Sequence, residues 1–207
     1  MTDLGVPYFT VTPAGPPPWP GILVAHEGNG MSPQLLRFCE RLGREGYAVV
    51  APDLFFRSGG SEATDFGTLM GALRPEEVHA DLAAAHAHLR TLGATAIAVT
   101  GFCLGGTITY RAALSDLELR AAAPFYGGHI AQELGEPACP VLLFFGGRDE
   151  YIPAAAIAAV RAHHPEQVVV YPEAGHGFMR DGSSNFDEAA ARDAWGRLLA
   201  FFAEHLR

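Results

Sequence analysis

Six apolar runs of strand length recur along the chain: GILVAH at 21–26, YAVVA at 47–51, AIAVT at 96–100, AAAPFY at 121–126, VLLFF at 141–145 and QVVVYP at 167–172. They are apolar throughout and do not alternate with polar residues, the pattern of parallel strands covered on both faces. Between them the spacing turns helical. Leu35, Phe38, Cys39 and Leu42 fall on one face of a helix predicted over 33–45, with Ser32 as N-cap, Pro33 in its first position and Gly46 as terminator. Cys39 is thereby placed on a core face. Val78, Leu82, Ala85, Leu89 and Leu92 mark a second helix over 75–92, and Trp195, Leu198, Leu199 and Phe202 mark one that begins near 187.

Strands alternating with helices, joined by right-handed crossovers, predict a doubly wound α/β fold: a mostly parallel central sheet with helices on both faces, in one domain over 1–207. A chain of 207 residues can bury a substantial core without disulfides or metal. No internal repeat interrupts the pattern. Residues 57–74 are rich in Gly and Ser with little periodicity, and read as a loop with room for one short helix, a candidate lid. Open parallel sheets bind ligands beyond the carboxyl ends of their strands. The residues to inspect for chemistry are therefore Glu27, Asp53, Cys103, Tyr126, Asp149 and His176.

Charge narrows the class of partner. With 14 Lys plus Arg against 23 Asp plus Glu, the formal net charge is -9, which argues against nucleic acid and against an anionic membrane surface. A small molecule is the expected ligand. The first 21 residues hold no Lys or Arg and no long apolar core, unlike a secretory or mitochondrial targeting segment, and no run approaches transmembrane length. Three cysteines, an odd number, suit free thiols in a reducing cytoplasm better than a disulfide framework.

The segment GFCLGG at 101–106 follows the apolar run AIAVT and places a glycine two residues before and two residues after Cys103. A nucleophile carried on a sharp strand-to-helix turn needs small neighbours at those two positions, and the following helix points its positive end at the reactive atom. Such a helix end stabilises a thiolate. The competing reading is a buried, structural cysteine in a tightly packed turn. Chain order bears on the choice, because α/β-hydrolases run nucleophile, acid, histidine, and here Asp149 in GGRDEYIP and His176 in EAGHGF follow later strands in that order. Taken singly, Asp149 could cap a turn and His176 could be a loop residue. Their joint placement points to a Cys-His-Asp triad. By position, the backbone N–H groups of Gly28, in AHEGNG, and of Leu104 are the oxyanion-hole donors. Glu27 is either solvated at the strand end or faces the thiol and influences its protonation. Tyr126 and His129 in FYGGH are candidates to line a pocket. No histidine spacing predicts a metal site, and no cofactor is expected.

Taken in order, HEG, APDLF, GFCLGG, GGRDEYIP and EAGHGF resemble the dienelactone hydrolase family of α/β-hydrolases over residues 20–205. The resemblance implies the α/β-hydrolase fold and hydrolysis of small-molecule esters or lactones through Cys103, His176 and Asp149 and a thioester intermediate. It also implies a role for Glu27 in holding and then ionising the thiol, and a substrate-carboxylate contact from Arg180 in HGFMR. One departure stands out: the family's second carboxylate-binding arginine, with its tyrosine and tryptophan, has no match within 60–73, and Arg57 and Arg74 only flank that gap. An acidic lactone substrate is thus less firmly implied than hydrolysis itself. Two rivals remain at this point. An amidotransferase-like cysteine fold expects a glutamate two residues after the histidine, where this chain has Phe178. A non-catalytic or redox-sensing thiol protein would keep the same fold. Ser183 and Ser184 sit on no comparable turn.

Overall fold

The structure, a computed structural model, describes residues 5–60 and 65–206. Its centre is one sheet of seven strands in the spatial order β1-β3-β2-β4-β5-β6-β7: β1 (Tyr8–Val11), β2 (Trp19–Ala25), β3 (Ala48–Pro52), β4 (Ala94–Phe102), β5 (Ala121–Phe125), β6 (Leu143–Gly146) and β7 (Val168–Tyr171). All neighbours are parallel except β1, which runs antiparallel along β3. The six apolar runs thus become the six parallel strands: β4 (94–102) extends beyond its run at both ends, β2 begins two residues early, and β5, β6 and β7 are shorter than their runs. Residues of β3 and β5 and the inner residues of β2 are buried without alternation, as strands sandwiched between helical layers require.

β1 was not foreseen. Its four residues YFTV are all half-buried and lie at the sheet edge, so they show neither a continuous apolar run nor a clear alternation. Their strand state comes from backbone pairing with β3, from Tyr8 opposite Pro52 to Val11 opposite Val49.

Helix boundaries follow their end chemistry. α1 (Pro33–Arg44) starts where the Ser32 hydroxyl accepts the Leu35 N–H at 3.3 Å, and the chain leaves it through Gly46 at φ 95°. α3 (Pro75–Thr91) opens on proline, carries Glu76 and Glu77 in its first turn, and is followed by Gly93 at φ 99°. α4 (Leu104–Ala113) and α5 (Ala154–His163) follow β4 and β6, and α6 (Glu188–His205) is capped by Asp187, whose carboxylate accepts the Ala190 N–H at 3.0 Å. Among the described residues, a 3-10 turn at Phe56–Ser58 enters the predicted loop over 57–74, which also holds α2 (Phe66–Ala72); residues 61–64 of the candidate lid lie outside the described residues.

Topology distributes the helices. The crossover from β2 to β3 runs opposite to those from β3 to β4 and onward, so right-handed connections put α1 on one face and α3, α4 and α5 on the other. α6 joins α1, with Trp195 packed edge-on against Phe38 at 5.4 Å and the Arg41 guanidinium 3.7 Å over the indole. Among the described residues no helix is long and apolar enough to cross a membrane.

Candidate active site

Register brings the strand exits to one level. Ala25 lies opposite Gly101, and Phe102 lies opposite Phe125, so the residues after β2, β4 and β5 emerge side by side. Between β4 and α4 the chain turns on Cys103, at φ 54° and ψ -112°, a left-handed conformation that side chains rarely adopt. Its N–H donates to the Phe125 carbonyl at 3.0 Å and its carbonyl accepts from Thr107 at 3.2 Å. Both flanking glycines are sterically required. A Cβ on Gly101 would lie 2.5 Å from the Gly105 carbonyl oxygen, and one on Gly105 only 2.1 Å from that of Ala25. The strain at Cys103 is thus held by its neighbours, and its side chain remains partly accessible.

His176 reaches this turn from the loop after β7, at the sheet edge. Its Nδ1 lies 2.8 Å from Asp149 Oδ2, and the Cys103 side chain interacts electrostatically with the same ring. Asp149 is itself oriented: its Oδ1 accepts the N–H groups of Tyr151 at 2.8 Å and Ile152 at 2.9 Å, leaving Oδ2 for the imidazole. Asn185 Nδ2 donates to the His176 carbonyl at 3.0 Å and holds its loop. Burial works to lower the His176 pKa, but the hydrogen bond to Asp149 and the interaction with Cys103 outweigh it and raise the value to about 9. The three residues read from separate motifs are one connected chain of side chains.

The two expected N–H donors are unengaged. Among the described residues neither Gly28 nor Leu104 donates its backbone N–H to an acceptor within the protein. Glu27, only 7 % exposed, points inward with Oε2 3.6 Å from Arg180 Nε. Burial raises its pKa, opposed by the charges of Arg180 and His176. The Arg180 Nε is buried without a hydrogen bond, so the guanidinium is held by charge alone at that atom. Tyr126, at φ 38° and fully buried, stacks edge-on to His176 with 5.0 Å between ring centroids. Burial first, then the charges of Glu27 and Cys103, push its phenol pKa well up, so it stays a neutral hydroxyl. A narrow cavity runs over this floor, with Phe38, Phe102 and Met179 as apolar walls beside Glu27, Tyr126 and Arg180.

Other residues considered from sequence go elsewhere. Asp53 turns back to cap its own loop, accepting the Phe55 N–H at 3.0 Å. His129 is exposed and does not line this cavity, because the chain after Tyr126 turns outward. Arg57 is bound bidentately to the buried Asp81 at 2.6 and 2.8 Å, and Arg74 donates to the carbonyl of Gly71 at 2.9 Å at the end of α2. Neither flanking arginine replaces the contact absent from 60–73. Ser183 donates to the Arg180 carbonyl at 2.9 Å and serves the loop. Among the described residues no group of three or more His, Cys, Asp or Glu could hold a metal ion. Sequence reasoning missed Asn185, which holds the His176 carbonyl nine residues away, and His26, whose Nε2 meets Leu54, 28 residues on.

A mostly parallel sheet flanked by helices, with this constellation at its carboxyl edge, defines an α/β-hydrolase. Comparison with known proteins narrows the class. The profile of the dienelactone hydrolase family matches residues 6–206. A Salmonella typhimurium protein named carboxymethylenebutenolidase is 34 % identical over 209 residues, covering 90 % of this chain and 77 % of its own. A Klebsiella pneumoniae crystal structure named as a dienelactone hydrolase superposes with a TM-score of 0.87 at 31 % identity, covering 96 % of this chain and 93 % of that one. A dienelactone hydrolase-like promiscuous phosphotriesterase from metagenomic libraries shares the fold, with a TM-score of 0.76 at 23 % identity and coverage of 94 % and 89 %. The chain belongs to the dienelactone hydrolase family and is a carboxylic ester hydrolase.

Proposed function

We propose that the protein cleaves small-molecule esters or lactones through a Cys103–His176–Asp149 triad, with Cys103 on a nucleophile elbow. The observation that carries this reading is the hydrogen bond between His176 Nδ1 and Asp149 Oδ2 at 2.8 Å, in a ring that interacts with the side chain of the strained Cys103 turn. The Cys103 sulfur, its proton passed to His176, bonds to the substrate carbonyl carbon, and the carbonyl oxygen becomes an oxyanion. The N–H groups of Gly28 and Leu104 receive that charge, each a contribution of roughly 3 kcal/mol by analogy with serine hydrolases. Collapse breaks the carbon–oxygen bond to the leaving group, which takes the proton from His176. A thioester remains on Cys103. Water then loses a proton to His176, adds to the thioester carbon and releases the acid, and the proton returns to the sulfur. Asp149 holds the Nδ1–H tautomer throughout, leaving Nε2 to exchange protons.

Glu27 and Arg180 deepen the reading. The Arg180 guanidinium, beside a wall of Phe38, Phe102 and Met179, suits an acyl group that is compact, apolar and carries a carboxylate. A substrate carboxylate at Arg180 would compete with Glu27 for its counter-ion. Glu27, already raised in pKa by burial, would then take up a proton more readily, drawing it from the neighbourhood of the thiol. The setting is a cytoplasmic enzyme acting on a freely diffusing small molecule.

Steady-state kinetics on aryl esters and lactones test the proposal. Cys103→Ala is expected to lower kcat by ~10^4-fold or more, the scale of losing a covalent nucleophile. Arg180→Gln is expected to raise KM by roughly tenfold for esters bearing an acyl carboxylate and to spare neutral ones, about the worth of one charge-assisted hydrogen bond. Unchanged turnover in Cys103→Ala would overturn this mechanism, whereas no turnover of the ester panel by the wild-type protein would favour the non-catalytic thiol reading.

A further inference from the structure

His26 is fully buried, yet neither ring nitrogen reaches the triad. Its Nδ1 lies 2.8 Å from the carbonyl oxygen of Glu27, and its Nε2 lies 2.9 Å from the backbone nitrogen of Leu54. A carbonyl only accepts and an amide N–H only donates, so the first contact requires a proton on Nδ1 and the second a lone pair on Nε2. The ring is therefore a single neutral tautomer bridging the exits of β2 and β3. Burial, the largest influence, lowers its pKa against the opposing pull of the Glu27 carbonyl and Asp53, in keeping with a neutral ring.

The Glu27 carbonyl has a second donor, the Gly30 N–H at 2.8 Å. Two donors fix the plane of the Glu27–Gly28 peptide. In a trans peptide the C=O and N–H bonds point in opposite directions, so clamping the carbonyl aims the Gly28 N–H the other way. That N–H is free, and the β2 exit is pressed against the head of α4, where a Cβ on Gly105 would meet both Ala25 and His26 carbonyl oxygens at 2.1 and 2.7 Å. The Leu104 N–H lies at the same helix head.

We infer that His26 is a positioning residue for the oxyanion hole, setting the direction of the Gly28 N–H through the carbonyl of Glu27. The assignment rests on the proposed role of Gly28 as an oxyanion donor. An oxyanion donor placed by a rigid scaffold acts on charge that develops only in the transition state. Its misplacement lowers kcat and leaves substrate binding nearly unchanged.

Two amide variants separate the ends of the ring. In His26→Asn the side-chain nitrogen falls near the place of Nδ1 and can still donate to Glu27, while the acceptor for Leu54 is lost. In His26→Gln the amide oxygen reaches the place of Nε2 and can still accept from Leu54, while the donor to Glu27 is lost. The measurements are kcat and KM on a neutral aryl ester, the inhibition constant of an aldehyde that forms a hemithioacetal with Cys103, and the rate of Cys103 alkylation by iodoacetamide. The expected result is a fall in kcat of roughly 10- to 100-fold in His26→Gln, with KM within about twofold, a weaker aldehyde and unchanged alkylation. His26→Asn keeps kcat within about threefold of wild type although its thermal midpoint falls at least as far, since it leaves a buried N–H unpaired.

Equal loss or equal retention of kcat in the two variants, with wild-type turnover intact, overturns the role of His26 alone. A wild-type protein that is alkylated at Cys103 but neither turns over the ester nor binds the aldehyde overturns both the assignment and the hydrolytic reading beneath it. If both variants are too unstable to purify, Leu54→Pro removes the N–H at the other end of the ring, and retained aldehyde affinity there, with the ring still bound to Glu27, is the result expected. Weaker aldehyde binding with normal alkylation in that variant overturns the assignment.

Discussion

Cys39 lies on the inner face of α1 beside Leu35 and Leu42, wholly buried, whereas Cys103 lies at the head of α4 in a backbone conformation its side chain alone would never choose. Burial pushes the Cys39 thiol up to about 12, which makes it a small hydrophobe. Cys103 instead touches an imidazole and stands at a helix N-terminus. The chemistry of a thiol is thus set by the element that carries it. A regular helix turns its cysteine into packing, and a strained turn leaves its cysteine partly accessible beside His176.

The contrast can be broken by removing the device that keeps the strained turn apart from its neighbours. Gly105→Ala would put a methyl group 2.1 Å from the Ala25 carbonyl, a backbone clash that no side-chain rotation relieves. The expected cost is roughly 3 kcal/mol or more, with loss of ester turnover, read by urea denaturation and kinetics. Unchanged stability would mean that the turn is not packed as described.

Thiol labelling sharpens it. At neutral pH, iodoacetamide should modify the native protein at Cys103, while Cys39 reacts ~10^3-fold more slowly than a free cysteine, as its raised pKa leaves little thiolate. Peptide mapping before and after denaturation reads the difference. Equal labelling of the two cysteines would remove the distinction.

A smaller effect is expected from Cys39→Ser, which places a hydroxyl among apolar side chains and should cost about 1–3 kcal/mol while leaving kcat unchanged. The smallest is a pH effect at His176. Because the folded pKa of His176 is raised from 6.5 to about 9, its pairing contributes stability in full below about pH 6.5 and loses it as pH rises through 9. The stability difference between wild type and His176→Gln should therefore shrink from pH 6 to pH 9.5, as read by urea midpoints. A difference constant with pH would mean that His176 binds its proton equally well in the folded and unfolded protein.

How much was legible follows from where the information lies. The six parallel strands, α1, α3 and α6 were readable because burial on both sides of a sheet, or along one stripe of a helix, demands local runs and local spacing. Gly101, Cys103 and Gly105 were readable for the same reason, since the steric needs of a tight turn are met within five residues. Asp149 and His176 came from chain order together with the family resemblance, and their contact at 2.8 Å needed the sheet to align β6 and β7. β1 escaped notice because an antiparallel edge strand draws its order from the partner and not from its own four side chains.

What the amino-acid sequence determined by itself was therefore the alternation of elements, the glycines of the tight turn at 101–105 and which polar and titratable residues stand at strand ends. Tertiary structure alone decided that Arg57 is committed to Asp81, that Arg180 faces Glu27, and that His26 ties two strand exits with one tautomer. The reason is physical: propensity, patterning and turn sterics act over a few neighbouring residues, but a hydrogen bond or ion pair between residues 26 and 54, or 27 and 180, exists only once the sheet has brought distant segments within 4 Å.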